Sequence, residues 1–161
     1  EAMGMPVEEK KITTQIDLSV NAYIPNDFIN SEALRIEAYK SIVLIEDIQD
    51  YNRVQEELED RYGTVPFCVD RLMKIALMKN NANSLGITDI AQSPDGIMLR
   101  FIKSKAPDIK QLSKISSSGV VKILFSSGER PYILIRLTKA SEDDIIKKVN
   151  FVLNCLQTPE L

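Results

Sequence analysis

Glu57 and Asp60 stand three residues apart in a stretch patterned as a helix, and Glu142, Asp143 and Asp144 form a consecutive run. Paired carboxylates can carry out acid–base chemistry when they face each other across a cleft and an apolar surround raises the pKa of one of them. Neither group is placed that way. Glu57 and Asp60 lie about 60° apart on one helical face, and the acids at 142–144 fall in the first turn of a helix, where the dipole favours their charged form. The 161 residues include no histidine, which removes the commonest general base and the commonest metal ligand. Cys68 and Cys155 are too few and too far apart to complete a four-ligand zinc site. None of the six glycines opens a phosphate-binding Gly-Lys-Ser/Thr loop or a Gly-x-Gly-x-x-Gly turn. The sequence therefore predicts no catalytic, cofactor or metal site, and no ATP hydrolysis by this chain.

The elements that position these acids follow from periodicity. Tyr51, Val54, Leu58 and Tyr62 are spaced 3, 4 and 4, one apolar stripe of a helix. Burying that stripe turns Glu57 and Asp60 outward. Asp50 is positioned to cap this helix, Gly63 to end it and Pro66 to start the next. Upstream, Ile16, Leu18 and Val20 alternate as a strand within residues 12–20. Ser31 caps a helix carrying Leu34, Ala38, Ile42 and Ile45, its apolar face widened by Ile36, Tyr39 and Val43. Val69, Leu72, Met73, Ala76 and Leu77 mark a third helix over residues 69–82.

The period then changes. Residues 85–91 and 97–102 flank Ser93-Pro94-Asp95-Gly96, a turn sequence that predicts a hairpin. Ile109, Leu112 and Ile115 predict a short helix. Val121, Ile123 and Phe125 pair with residues 132–137 in a second hairpin. Ser141 and Asp144 begin a closing helix with Ile145, Val149, Val152 and Leu156 on its apolar face. Helices first and hairpins later predict an α+β fold, a helical segment packed with an antiparallel sheet of two hairpins and a C-terminal helix. Residues 1–11 read as a linker and 12–161 as one domain.

Composition narrows the partners. Apolar content of 44% and charged content of 27% describe a globular protein. No apolar run is long enough to span a membrane, and the N-terminus lacks the pattern of a signal peptide. It opens on Glu1 without Met, which suggests a portion of a longer chain. The net charge of −3 opposes general affinity for nucleic acid. Charge is unevenly spread, however: seven acids against Arg53 between Glu46 and Asp60, and six basic residues against Asp108 between Arg100 and Lys122. The basic stretch invites a nucleic-acid reading, but Phe101 keeps phase with Ile97 and Leu99 and belongs to the core, not to a stacking platform. The two cysteines are expected as buried, reduced thiols.

Asp60-Arg61-Tyr62-Gly63 followed by Pro66 resembles a signature in the C-terminal domain of the bacterial transcription-repair coupling factor family (Mfd). The resemblance extends through Asp17-Leu18, Ala22-Tyr23-Ile24-Pro25, Phe28-Ile29, Arg35-Ile36 and Tyr39-Lys40, and past the third helix into Leu85-Gly86-Ile87. It is dense from Asp17 to Ile90 and faint in the last 70 residues. It implies a cytoplasmic, regulatory domain of an ATP- and Mg-dependent DNA translocase that displaces stalled RNA polymerase and recruits the damage sensor UvrA. The motor would lie outside this chain. In that family, acids at the positions of Glu57 and Asp60 face arginines on the N-terminal UvrA-binding module and mask it. Tyr62 stands where the family often has Phe, and Glu59 where it often has an apolar residue. The rival expectation is an accessory domain that holds nucleic acid through Arg100–Lys122.

Overall fold

The computed structural model describes residues 13–137 and 139–157, so the expected linker at 1–11 lies outside them. A short strand, β1 (Gln15–Asp17), precedes three successive helices: α1 (Glu32–Val43), α2 (Ile48–Tyr62) and α3 (Phe67–Ser84). The hairpin of β2 (Ile87–Ser93) and β3 (Gly96–Phe101) follows. After it come α4 (Ile109–Ser117), the hairpin of β4 (Lys122–Ser126) and β5 (Tyr132–Arg136), and α5 (Glu142–Gln157). The α+β class, the two hairpins and the closing helix are as the periodicity predicts.

Local chemistry sets the boundaries. The Ser31 hydroxyl accepts from the Leu34 N–H at 3.3 Å and starts α1. The expected Asp50 cap of α2 is displaced by one turn. Asp47, in an extended conformation, accepts from the Asp50 N–H at 2.8 Å and is the cap. Asp50 already belongs to the first turn, and its carboxylate reaches back to the Glu46 N–H at 3.1 Å. Gly63 ends α2 at φ 95°, a left-handed value that a side chain disfavours. Asp108 and Gln111 form a reciprocal capping box on α4, and the Ser141 hydroxyl accepts from the Asp144 N–H at the start of α5.

The five strands form one sheet in the order β1-β2-β3-β5-β4. Four of them pair antiparallel, as expected, whereas β1 adds to β2 in parallel. Among the described residues, the strand predicted over 12–20 pairs only at Gln15–Asp17, although the alternation of half-buried Ile16, Leu18 and Val20 with exposed neighbours continues beyond it. Thr14 fixes its start: its N–H donates to Asn83 Oδ1 and its buried hydroxyl donates to the Ile87 carbonyl, both at 2.6 Å. At Gly96 the chains of β3 and β5 approach so closely that a Cβ would stand 1.9 Å from the Ile135 carbonyl oxygen, so only glycine fits there.

Burial divides the domain into two cores. One lies among α1, α2 and the first half of α3, around Ile29, Ala38, Ile42, Val54, Leu58, Val69 and Met73. The other lies between the sheet and α4, α5 and the second half of α3, around Met78, Ile90, Leu99, Ile135, Val149 and Val152. Ile36 and Val43 do not widen the buried face of α1 as expected. They are exposed by 49% and 75%, because that side of the helix has no packed neighbour among the described residues.

Candidate functional site

The outward face of α2 is built from its buried one. Val54 and Leu58 are buried, and Tyr51 and Tyr62 half-buried, so the predicted stripe is the one that faces inward. The Tyr62 ring meets Phe28 edge-on, with centroids 5.8 Å apart, and fixes the last turn. The Arg61 guanidinium lies 5.7 Å from the Tyr62 ring. The Tyr51 hydroxyl hydrogen-bonds Asp70 on α3, and Lys74 pairs with the same carboxylate at 2.8 Å. Burial, then the bond to Asp70 and its charge, hold the Tyr51 phenol well above its ordinary pKa.

With α2 held this way, Glu57 and Asp60 are both exposed. Neither carboxylate is engaged in a hydrogen bond or ion pair among the described residues. Glu57 also borders a shallow groove of about 100 Å³ between α1 and α2, with Glu37 across from it and Leu34, Ala38 and Leu58 among its lining. Their neighbours are occupied: Arg53 pairs with Asp50 at 2.9 Å, and Glu59 accepts from Gln55 at 3.4 Å.

The second acidic run has structural work. Arg71 on α3 reaches Glu142 at 2.6 Å and Asp143 at 3.1 Å, joining the first turn of α5 to the helical core. The hydrogen bond from Arg71 holds the Asp143 carboxyl below its ordinary range, and the same bond raises Arg71. Glu142 also accepts from the Asn21 N–H at 3.2 Å. No sequence motif marks Arg71, whose partners stand more than 70 positions away.

The basic stretch is dispersed over β3, the turn at Lys103–Lys105, α4 and β4. Arg100 pairs with Asp89 across the β2–β3 ladder at 2.9 Å, and Lys103 with Glu129 at 2.8 Å. Phe101 is buried with Ile97 and Leu99, as its phase predicts. Cys155 is buried and Cys68 half-buried; both are free, and burial pushes the Cys155 thiol up. Among the described residues no group of three or more Cys, Asp or Glu side chains is arranged to hold a metal ion, and no helix is long and apolar enough to cross a membrane.

This fold, five helices and a five-stranded sheet among the described residues, is that of the C-terminal domain of a transcription-repair coupling factor. A crystal structure so described superposes with a TM-score of 0.84, covering 92% of this chain and 94% of that one at 22% identity. The sequence carries the relationship further: the TRCF domain profile matches residues 18–112, and the chain belongs to that family. Transcription-repair-coupling factors are among its relatives. That of Bacillus subtilis is 29% identical over 109 residues, 68% of this chain and 9% of the relative. That of Helicobacter pylori is 29% identical over 102 residues, 63% and 10% respectively. That of Rickettsia prowazekii is 26% identical over 148 residues, 91% and 13%. The chain thus spans about a tenth of the length of the curated relatives it matches.

Proposed function

We propose that this domain is an autoinhibitory latch of a transcription-repair coupling translocase, docking through Glu57 and Asp60 onto arginines of the N-terminal UvrA-recruiting module of the same protein. One observation carries the reading: two adjacent carboxylates on a rigidly packed helix, exposed and without a cationic partner among the described residues. The remainder of the protein would supply the ATP- and Mg-dependent motor and the contact with stalled RNA polymerase. This chain would contribute binding and no chemistry.

The energetics suit a switch. Exposed ion pairs contribute about 0–1 kcal/mol each, too little to hold two free molecules together at dilute concentration. A tether supplies an effective concentration on the order of millimolar, at which weak contacts close. A coupling of about 1–3 kcal/mol can then be reversed when polymerase is engaged. The rival role in nucleic-acid binding draws less support, since Arg100 and Lys103 already meet acids of this chain.

The test is a calorimetric titration of this domain with the N-terminal module. Binding is expected for the native sequence, weakening with salt, and is expected to disappear in Glu57→Ala/Asp60→Ala with the fold unchanged. Absence of binding by the native domain at millimolar concentration would sink direct masking, and a steeply salt-dependent affinity for duplex DNA would then favour the basic stretch.

A further inference from the structure

The sheet has two edges, and they differ. β1 closes one with three residues and is fastened by Thr14. β4 forms the other with five residues, Lys-Ile-Leu-Phe-Ser, bound to β5 in an unbroken register. Apart from that ladder, no backbone hydrogen bond involves β4 among the described residues. Alternate N–H and C=O groups of an edge strand point away from its neighbour and form a ready template for another strand. Protein edges are ordinarily blunted by prolines, bulges or charges placed mid-strand. β4 has no proline and no bulge, and its single charge, Lys122, stands at its first position. Its middle residue, Leu124, is 48% exposed, whereas Ile133, Leu134 and Ile135 of β5 are buried.

We propose that β4 pairs antiparallel with β4 of a second copy of this chain, about a two-fold axis through Leu124. The strand is complementary to itself in that register. Leu124 meets the second copy's Leu124, Ile123 meets Phe125, and Lys122 meets the Ser126 hydroxyl, so no like charges face each other. Centring on a residue also keeps the core faces of both sheets on the same side, whereas a one-residue slip would turn one of them over. The row Met98–Leu134–Leu124, aligned across β3, β5 and β4, would continue into the same row of the second copy. One strand pairing buries far less than the ~800 Å² per partner of a standard interface, so the dimer is weak and forms as concentration rises. It lies on the opposite core from Glu57 and Asp60, and its failure would leave the latch untouched.

Sedimentation velocity of the chain over a range of concentrations tests it. The sedimentation coefficient is expected to rise from monomer towards dimer. Leu124→Lys is expected to remain monomeric throughout with an unchanged melting temperature, since its site is half exposed. Directly opposed residues in an antiparallel pair have Cα atoms about 4.5–5.5 Å apart, within disulfide reach. Under mild oxidation Leu124→Cys should therefore give a covalent dimer that Lys122→Cys and the native cysteines do not. A chain that stays monomeric at every concentration, or a dimer that survives Leu124→Lys, would overturn the proposal.

Discussion

The helical core and the sheet core differ in size and in the acids left on their surfaces. The sheet core is the larger, with eighteen buried residues against nine among those described. It pairs some of its charges internally, in Arg100–Asp89 and Lys103–Glu129. The smaller helical core leaves Glu57 and Asp60 unpaired among the described residues, and Ile36, Val43, Leu44 and Phe67 exposed. In the proposed latch, the smaller core would present the docking face and the larger one would support it. The family profile crosses this division: it spans α1, α2 and α3 and the first hairpin of the sheet core, and stops within α4. β4, β5 and α5, which complete the supporting core, lie beyond it.

Breaking either core is the largest perturbation. Met73→Ala in the helical core and Leu99→Ala in the sheet core, both fully buried, are expected to cost about 2–5 kcal/mol each. Because α3 belongs to both cores, urea denaturation followed by circular dichroism should show a single transition in either variant. Two separate transitions would mean that the cores are independent units.

The clasp between the cores is the next test. The Arg71 bond lowers the Asp143 pKa, so this contribution is complete above the ordinary carboxylate value of about 4 and fades as pH falls through the lowered one. Arg71→Ala is expected to destabilise the domain modestly at neutral pH, with faster hydrogen exchange at the start of α5. The gap between variant and native protein should narrow in acid; a gap independent of pH would assign the effect to packing.

The smallest effect belongs to Tyr51 at neutral pH. Its phenol is kept neutral in the fold, while an unfolded tyrosine ionises near 10. The contribution is thus intact below about pH 10 and lost as pH rises beyond it. Tyr51→Phe should flatten the fall in urea midpoint between about pH 9 and pH 11; an unaltered slope would remove Tyr51 from that role.

Most of this architecture was legible because local patterns and packing agreed. The stripe Tyr51-Val54-Leu58-Tyr62 turned Glu57 and Asp60 outward by geometry alone, and the Pro94-Asp95 turn set the first hairpin. What sequence could not supply was the arrangement between elements. Ile36 and Val43 carry the same helical phase whether or not anything packs on them, so periodicity placed them in the core. Asp47 and Asp50 are equivalent candidates for a cap until the chain direction before α2 is known. The parallel pairing of β1 and the Arg71 clasp join residues some 70 positions apart, and no local signal encodes them. Glu57 and Asp60 could be located from their spacing, but what they meet is a property of another surface.

An 18-residue α3 is about 27 Å long, and it is shared: Val69 and Met73 are anchored at one end, Met78 and Ala82 towards the other. A stiff rod seated in both halves transmits load without bending. Force applied to the α2 face would reach the sheet through this axle, and the domain would lift away from a neighbour whole instead of peeling open one helix at a time.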